Sequence, residues 1–514
     1  MTVAVRPRRR TLRAAAALVA VAVLAGCTRG GSVQAPTPAS SAPAGTKDPA
    51  NDPALARFYG QKVVWKGCRN DFDCTKVTVP LDWQKPSGKT IELSLLRLRS
   101  TKKKIGTMLL NPGGPGVSAV DWFRSSPGSL GDRVRQSYDA IAWDPRGVGH
   151  STPIRCLADA DVDAWLSADS TPDDDVEARR VVADAKDYGS QCLERTGDLI
   201  GHVDTVSTVK DMDVIRAAVD ERALSYYGWS YGTFIGAWYA ELFPWRVGRM
   251  VLDGAVDPSI GAQEYAEGQA RGFSRMASAF VEDCLGTDGC PLRGTTEQAL
   301  AQLGTLVEDA DAQPLPATGG RELTQNLMTT GMAQALYVPA YWPQLRTALA
   351  EAFRGQGDGL LALADAYNGR RPDGTYGQTL QAIGPIFCLD RSDARSLAQV
   401  KADAAAWRTK YPPLGDTVAW GSLGCTVWPV KPVLEPQELA ATGAPPIVVV
   451  GTTGDPATPY EWAQSLAGQL SKGVLVTFEG EGHTAYRRGS KCVDSTVEDY
   501  LVSGTVPEAD VTCS

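Results

Sequence analysis

Hydrophobic positions along the chain fall into short apolar runs closed by turn-forming residues, with stretches of helical spacing between them. From about residue 60, the runs 62–65, 75–80 and 91–97 predict opening strands. Residues 107–110 and 140–143 predict two more, each running into a turn rich in glycine and proline. Residues 208–219 predict a helix capped by Ser207 or Thr208, with Asp211 in its first turn. A strand at 224–227, an apolar helix at 233–243 and a strand at 247–252 follow. Strands punctuated in this way and alternating with helices predict an α/β fold, a mostly parallel sheet with helices on both faces.

Between 259 and 435 the pattern changes to long runs rich in alanine and leucine, such as 295–310 and 345–353, and strand signals return only at 447–450 and 474–478. The simplest organisation is a helical cap, 259–435, inserted into a core made of residues 60–258 and 436–514. A separate helical domain is the alternative, but the trailing β-α-β pattern needs a sheet to join.

The amino terminus reads differently. Five arginines up to Arg13 precede an apolar run, 14–24, too short to cross a bilayer as a helix but suited to the core of a signal peptide spanning 1–26. Leu24-Ala25-Gly26-Cys27 resembles the lipobox of bacterial lipoproteins, which implies cleavage before Cys27 and a lipid on its sulfur. Arg9-Arg10 also permits twin-arginine export. Residues 28–53 are dominated by Ala, Pro, Ser, Thr and Gly and bury too little apolar surface to fold, so 27–59 is expected to be a lipidated, disordered tether. The expected location is the outer face of a bacterial cytoplasmic membrane, with release as the variant.

A hydrophobic content of 43% and a charged content of 21% fit a globular protein with an ample core. Losing the leader's five arginines would take the net charge from −8 to −13. So acidic a protein is a poor partner for nucleic acid, whose binding rests on clustered Lys and Arg. Eleven cysteines leave ten once Cys27 is assigned to lipid, an even number in an exported chain. The ten form sequence-local couples, Cys68 with Cys74, Cys156 with Cys192, Cys284 with Cys290, Cys388 with Cys425 and Cys492 with Cys513, although order along the chain does not fix connectivity. Zinc is disfavoured, since there is no C-x-x-C pair and the chain has three histidines.

Chemistry enters with Gly228-Trp229-Ser230-Tyr231-Gly232. A Gly-x-Ser-x-Gly match alone is weak in a glycine-rich chain, but this one lies between a predicted strand and a predicted helix, where a nucleophile elbow requires it. A serine hydroxyl needs a base, an orienting partner for that base and donors for the developing oxyanion. His483 follows the strand at 474–478 and, unlike His150 and His202, comes after the serine in the order Ser, acid, His. Asp455 follows the strand at 447–450 and is the expected acid; capping of the next helix is its plain alternative role, and Asp253 and Asp257 are rivals. The turn Asn111-Pro112-Gly113-Gly114-Pro115-Gly116 suits an oxyanion loop, with the amides of Gly114 and Tyr231 as donors, because Pro112 and Pro115 have no N–H to give. No metal or organic cofactor is implied.

These residues, with Trp143-Asp-Pro-Arg-Gly-Val-Gly149, Val251-Leu-Asp-Gly254 and Gly454-Asp-Pro-Ala-Thr-Pro459, resemble the tripeptidyl aminopeptidase family of secreted actinobacterial α/β-hydrolases, which includes mycobacterial lipoprotein proteases and carboxylesterases. The similarity runs over nearly all of residues 60–513. It implies an α/β-hydrolase fold with a TAP-like carboxyl-terminal part, a Ser230–Asp455–His483 triad, and cleavage of short peptides near a free amino terminus or, in some members, of acyl esters. Thr458 falls within the motif around the acid and is equally suited to starting a helix. A free amino terminus needs an anionic partner, and Glu241 and Glu481 are candidates that nothing distinguishes. Tyr337, Tyr341 and Trp342 suit either a pocket wall or the core of the cap. A carboxylesterase or lipase on the same residues, and a binding lipoprotein without catalysis, are the remaining readings.

Overall fold

A computed structural model describes residues 47–514. The signal peptide, Cys27 and most of the expected tether lie outside the described residues. The last part of the expected tether is instead ordered. Residues 48–59 are folded: Pro49–Asn51 and Ala56–Tyr59 are short helices, Phe58 is buried, Asp48 pairs with Arg246, and the Tyr59 hydroxyl donates to Asp213 at 2.8 Å. Leu55, Phe58 and Tyr59 supply the apolar contact that docks this segment on the core.

Ten strands make one sheet. They are β1 (Lys66–Arg69), β2 (Phe72–Pro80), β3 (Thr90–Leu98), β4 (Gly106–Asn111), β5 (Tyr138–Trp143), β6 (Leu224–Trp229), β7 (Val247–Asp253), β8 (Ile447–Gly454), β9 (Gly473–Glu481) and β10 (Val511–Cys513). Their order is β1-β2-β3-β5-β4-β6-β7-β8-β9-β10. The first three are antiparallel to their neighbours and the pairs from β5 to β10 are parallel. Every residue of β4, β5, β6 and β7 is buried, which is why these strands read as continuous apolar runs and not as alternation. The strand expected at 62–65 does not form. Val63 and Trp65 pack half-buried on the core while Val64 is 72% exposed, but the Val63 amide donates to the Ala218 carbonyl and the Val64 carbonyl accepts from the Thr75 hydroxyl, so no strand ladder forms and the first strand begins at Lys66.

Among the helices, α1 (Ala119–Ser125), α2 (Thr205–Ala218) and α3 (Tyr231–Leu242) flank the sheet before β7. The expected cap for α2 shifts: Asp204 is the N-cap, its carboxylate accepting from the Ser207 amide. Asp211 instead sits in mid-helix, where it takes both ends of the buried Arg146 guanidinium at 2.7 and 2.8 Å. Arg146 also donates to the carbonyls of Pro80, Leu81 and His202. The Asp-Pro-Arg-Gly turn after β5 is therefore a structural clamp.

Strands β7 and β8 are parallel neighbours, with Met250 opposite Ile447, yet nearly two hundred residues separate them in sequence. That interval is helical, from α4 (Ala262–Leu285) through α5 (Gln325–Leu336) and α6 (Thr379–Leu389), and includes a two-stranded ribbon of Leu315–Pro316 and Glu322–Leu323. The chain then resumes the sheet, adding α7 (Tyr460–Gln469) and α8 (Lys491–Ser503).

Five disulfides join the ten described cysteines as Cys68–Cys74, Cys156–Cys192, Cys284–Cys290, Cys388–Cys425 and Cys492–Cys513. By loop-closure entropy, bridges that close the longer loops are each worth about 3–4 kcal/mol against the unfolded chain. Cys388–Cys425 pins the end of α6. Among the described residues no helix is long and apolar enough to cross a membrane, and no group of His, Cys, Asp and Glu has metal-ligating geometry.

Candidate active site

Strand β6 delivers Ser230 into a turn with φ 55° and ψ −127°, a left-handed conformation that costs a non-glycine residue on the order of 1–3 kcal/mol. The surroundings hold it there. The Ser230 amide donates to the Asp253 carbonyl at 2.9 Å, and the Ser230 carbonyl accepts from the Thr233 hydroxyl at 2.6 Å. Room is lacking for any side chain at the flanking glycines: a Cβ on Gly228 would lie 2.4 Å from the Gly232 carbonyl oxygen. Helix α3 then starts immediately, so its N-terminus points its first amides, Tyr231 among them, at the space beside the serine.

The glycine loop after β4 lies against this elbow. A Cβ on Gly113 would come within 2.6 Å of the Trp229 carbonyl oxygen and 2.9 Å of the Ser230 Cβ. The Gly113 amide is taken by Asn111 Oδ1 at 2.9 Å, whereas the amides of Gly114 and Tyr231 have no acceptor among the described residues. Asp144 fixes the far end of the loop, accepting from the Ser118 hydroxyl and from the amides of Val120 and His150. Burial pushes the Asp144 carboxyl up, and those three donors oppose the shift.

Asp455, fully buried, follows β8. Its carboxylate accepts from His483 Nδ1 at 2.9 Å, from the amides of Ala457, Thr458 and Thr484, and from the Thr458 hydroxyl at 3.0 Å. That donor set is far richer than a helix cap requires. Thr458 precedes α7, and its hydroxyl also lies 3.3 Å from His483 Nδ1, between the carboxylate and the imidazole. His483, 12% exposed at its side chain, stands on the loop after β9, and its amide donates to the Tyr337 carbonyl at 2.8 Å. Among the described residues Ser230 Oγ makes no hydrogen bond, so the imidazole–serine contact stands open in the free protein, where such contacts are commonly long. The two are neighbours through Gly254: it follows the residue that accepts from the Ser230 amide, and a Cβ on it would lie 3.3 Å from His483 Cε1.

The rivals are otherwise engaged. Asp253 accepts from the amides of Ala485 and Tyr486 and from the Tyr227 hydroxyl. Asp257 holds Ser259 and Gln469. His150 forms an exposed pair with Asp121, and the carbonyl of His202 serves Arg146. Glu241 accepts from the Ala441 amide at the far end of α3. Glu481 ends β9 beside Gly454, its carboxyl raised by partial burial against the pull of Arg275.

The helical interval adds residues that the sequence left undistinguished. Tyr337 sets its ring edge-on to His483 at 5.6 Å and packs against Phe273 and Tyr367. Trp342 packs on Phe280 inside the helical layer, and Tyr341 is exposed. Asp390, at the end of α6, accepts from the Thr205 amide and hydroxyl and from the Tyr231 hydroxyl, tying the helical interval to the residue after Ser230. Burial pushes the Asp390 carboxyl up to about 7, with the Thr205 donors opposing. Its neighbour Arg391, buried between Tyr265 and Phe387, has its own ionisation lowered by burial. No periodicity or motif marks Asp390 or Arg391; only their pairing across the fold does.

Residues 411–513 match the family model described as TAP-like protein. Over 88% of its length the chain is 37% identical to serine protease Hip1 of Mycobacterium tuberculosis, covering 91% of that protein. It is 34% identical to carboxylesterase B of the same organism, with 90% and 93% covered. To tripeptidyl aminopeptidase of Streptomyces coelicolor it is 30% identical, with 90% and 87% covered.

Proposed function

The chain belongs to the actinobacterial α/β-hydrolase family of the tripeptidyl aminopeptidases, and on that premise we propose that it is a serine hydrolase cleaving peptide bonds near the free amino terminus of short peptides. The observation that carries this reading is the buried Asp455 carboxylate on His483 Nδ1, in the loops beside a strained Ser230. In the proposed reaction Asp455 holds the imidazole with Nε2 free, and that nitrogen takes the proton as Ser230 Oγ attacks the carbonyl carbon. The amides of Gly114 and Tyr231 receive the oxyanion. The imidazolium then protonates the leaving amine as the C–N bond breaks, and water releases the acyl group through the same base. Residues 259–435 would serve as the cap over this edge of the sheet, a role supported by Tyr337 and Asp390 reaching it.

One observation favours a second reading, the 34% identity to a protein named carboxylesterase. Tripeptidyl amides assayed beside short acyl esters separate the two: amide turnover is expected, and ester turnover with no amide cleavage would assign the protein to the esterases. Export and anchoring through Cys27 complete the proposal. Metabolic labelling with a fatty acid should mark the wild type and not Cys27→Ala; equal labelling of both would remove the anchor.

A further inference from the structure

A cavity of about 350 Å³ has both Pro112, from the glycine loop, and His483 in its wall. It is at the small end of ligand pockets, which run from about 300 to 1,000 Å³, and so fits one or two residues and not a long peptide. Trp122 and Trp229 form its apolar side, their rings 5.0 Å apart and steeply inclined. Ser129 Oγ, buried and without a partner among the described residues, is a free polar group on the same wall. The loop after His483 brings Arg487 and Arg488 to the rim. Arg487 is drawn to Asp494 at 3.5 Å, whereas the Arg488 guanidinium has no ion pair or hydrogen bond among the described residues, in a chain whose net charge is −8.

The chemistry assigns a side to this cavity. An imidazolium that protonates the leaving amine must stand within hydrogen-bond reach of it, so the portion released first lies against His483. We propose that this cavity is the subsite for that portion: a large apolar or aromatic residue directly after the scissile bond, packed on Trp122 and Trp229, followed by a carboxylate held by Arg488. The assignment rests on the acyl-enzyme reading above. Planar aromatic surfaces reward an apolar side chain, and an exposed guanidinium with free donors matches a carboxylate in two-point geometry. The carboxylate has two sources, the carboxyl terminus of a short peptide or an acidic side chain.

The test is a set of peptides with one fixed tripeptidyl acyl part and varied leaving parts: Phe-Glu amide, Phe-Gln amide, Phe-Gly with a free carboxylate, Phe-Gly amide and Gly-Glu amide. In the wild type, kcat/KM should favour the charged member of each Glu/Gln and carboxylate/amide pair by about tenfold, as a charge-assisted bond predicts. The larger of the two ratios identifies the source. In Arg488→Ala both ratios should fall to near one, and Arg488→Lys should keep part of the preference. Trp122→Ala should reduce the preference for Phe-Glu over Gly-Glu amide. Because each ratio is internal to one preparation, a partly folded variant does not distort it. Flat ratios in the wild type, or ratios that survive Arg488→Ala, overturn the subsite. Fluorophosphonate labelling of Ser230, run in parallel, separates the two failures: a labelled wild type with flat ratios loses the subsite alone, and an unlabelled folded wild type loses the hydrolase reading itself.

Discussion

Asp253 and Asp455 are near twins. Both are fully buried, both stand at the carboxyl ends of adjacent parallel strands, β7 and β8, and both accept hydrogen bonds from the loop that carries His483. Asp455 takes the Thr484 amide and the imidazole, while Asp253 takes the next two amides, those of Ala485 and Tyr486. The loop is thus clamped twice, and only one clamp reaches an imidazole. Burial and a place at the strand edge are common to both; the partner across the hydrogen bond is what gives Asp455 the role proposed for it.

This comparison can be broken by matched substitutions. Asp455→Asn should cost the most, about 10⁴-fold in kcat, because the amide cannot hold the same tautomer or balance the imidazolium. Asp253→Asn should instead appear in thermal stability, about 1–3 kcal/mol, as one of its oxygens becomes a donor facing buried amides. If Asp253→Asn abolished turnover in a fully folded protein while Asp455→Asn did not, the roles would be reversed. Thr458→Val removes one donor to Asp455 and should lower kcat by about tenfold with KM little changed, as checked by Michaelis profiles.

The smallest effect concerns pH. Asp390 holds its proton up to about 7 in the folded protein, well above the ordinary carboxyl range reached on unfolding. The folded state therefore binds more protons than the unfolded state between roughly pH 4 and pH 7, and stability declines as pH rises through that window. Asp390→Asn should flatten this slope in thermal melts recorded across the window. An unaltered slope would show that Asp390 does not carry it. Asp204, Arg391 and Tyr231 are the charged and titratable groups that bear on it.

What the sequence made legible follows the same division. Strands β4 to β8 are legible because burial on both faces leaves continuous apolar runs, β9 because its run at 474–478 stays apolar although only partly buried, and the elbow because two glycines flank a serine between a strand and a helix. Residues 62–65 carry a similar signal and form no strand, since Val63 and Trp65 do pack on the core but the backbone bonds go to Ala218 and to the Thr75 hydroxyl and not to a neighbouring strand. The N-cap of α2 was displaced because Asp204 competes better for the first amides than the hydroxyls after it. Tyr337 cannot be told from Tyr341 and Trp342, and Asp390 and Arg391 are silent, for a physical reason. Tyr337 reaches the imidazole and Asp390 the Tyr231 hydroxyl by long-range packing from the helical interval, with Arg391 buried next to Asp390 against Tyr265 and Phe387, and such contacts leave no local spacing to read. The folding of 48–59 was masked by the polar composition before it, although Leu55 and Phe58 were enough to dock it.

The central claim, that Ser230 is activated by the His483–Asp455 pair, is tested most directly by mapping the site and rate of fluorophosphonate modification. The account predicts a single adduct on the peptide containing Ser230, slowed by about 10³-fold or more in His483→Ala and in Asp455→Asn while both remain folded. A folded wild type that takes no label, or takes it on another serine at a rate indifferent to His483, would contradict it.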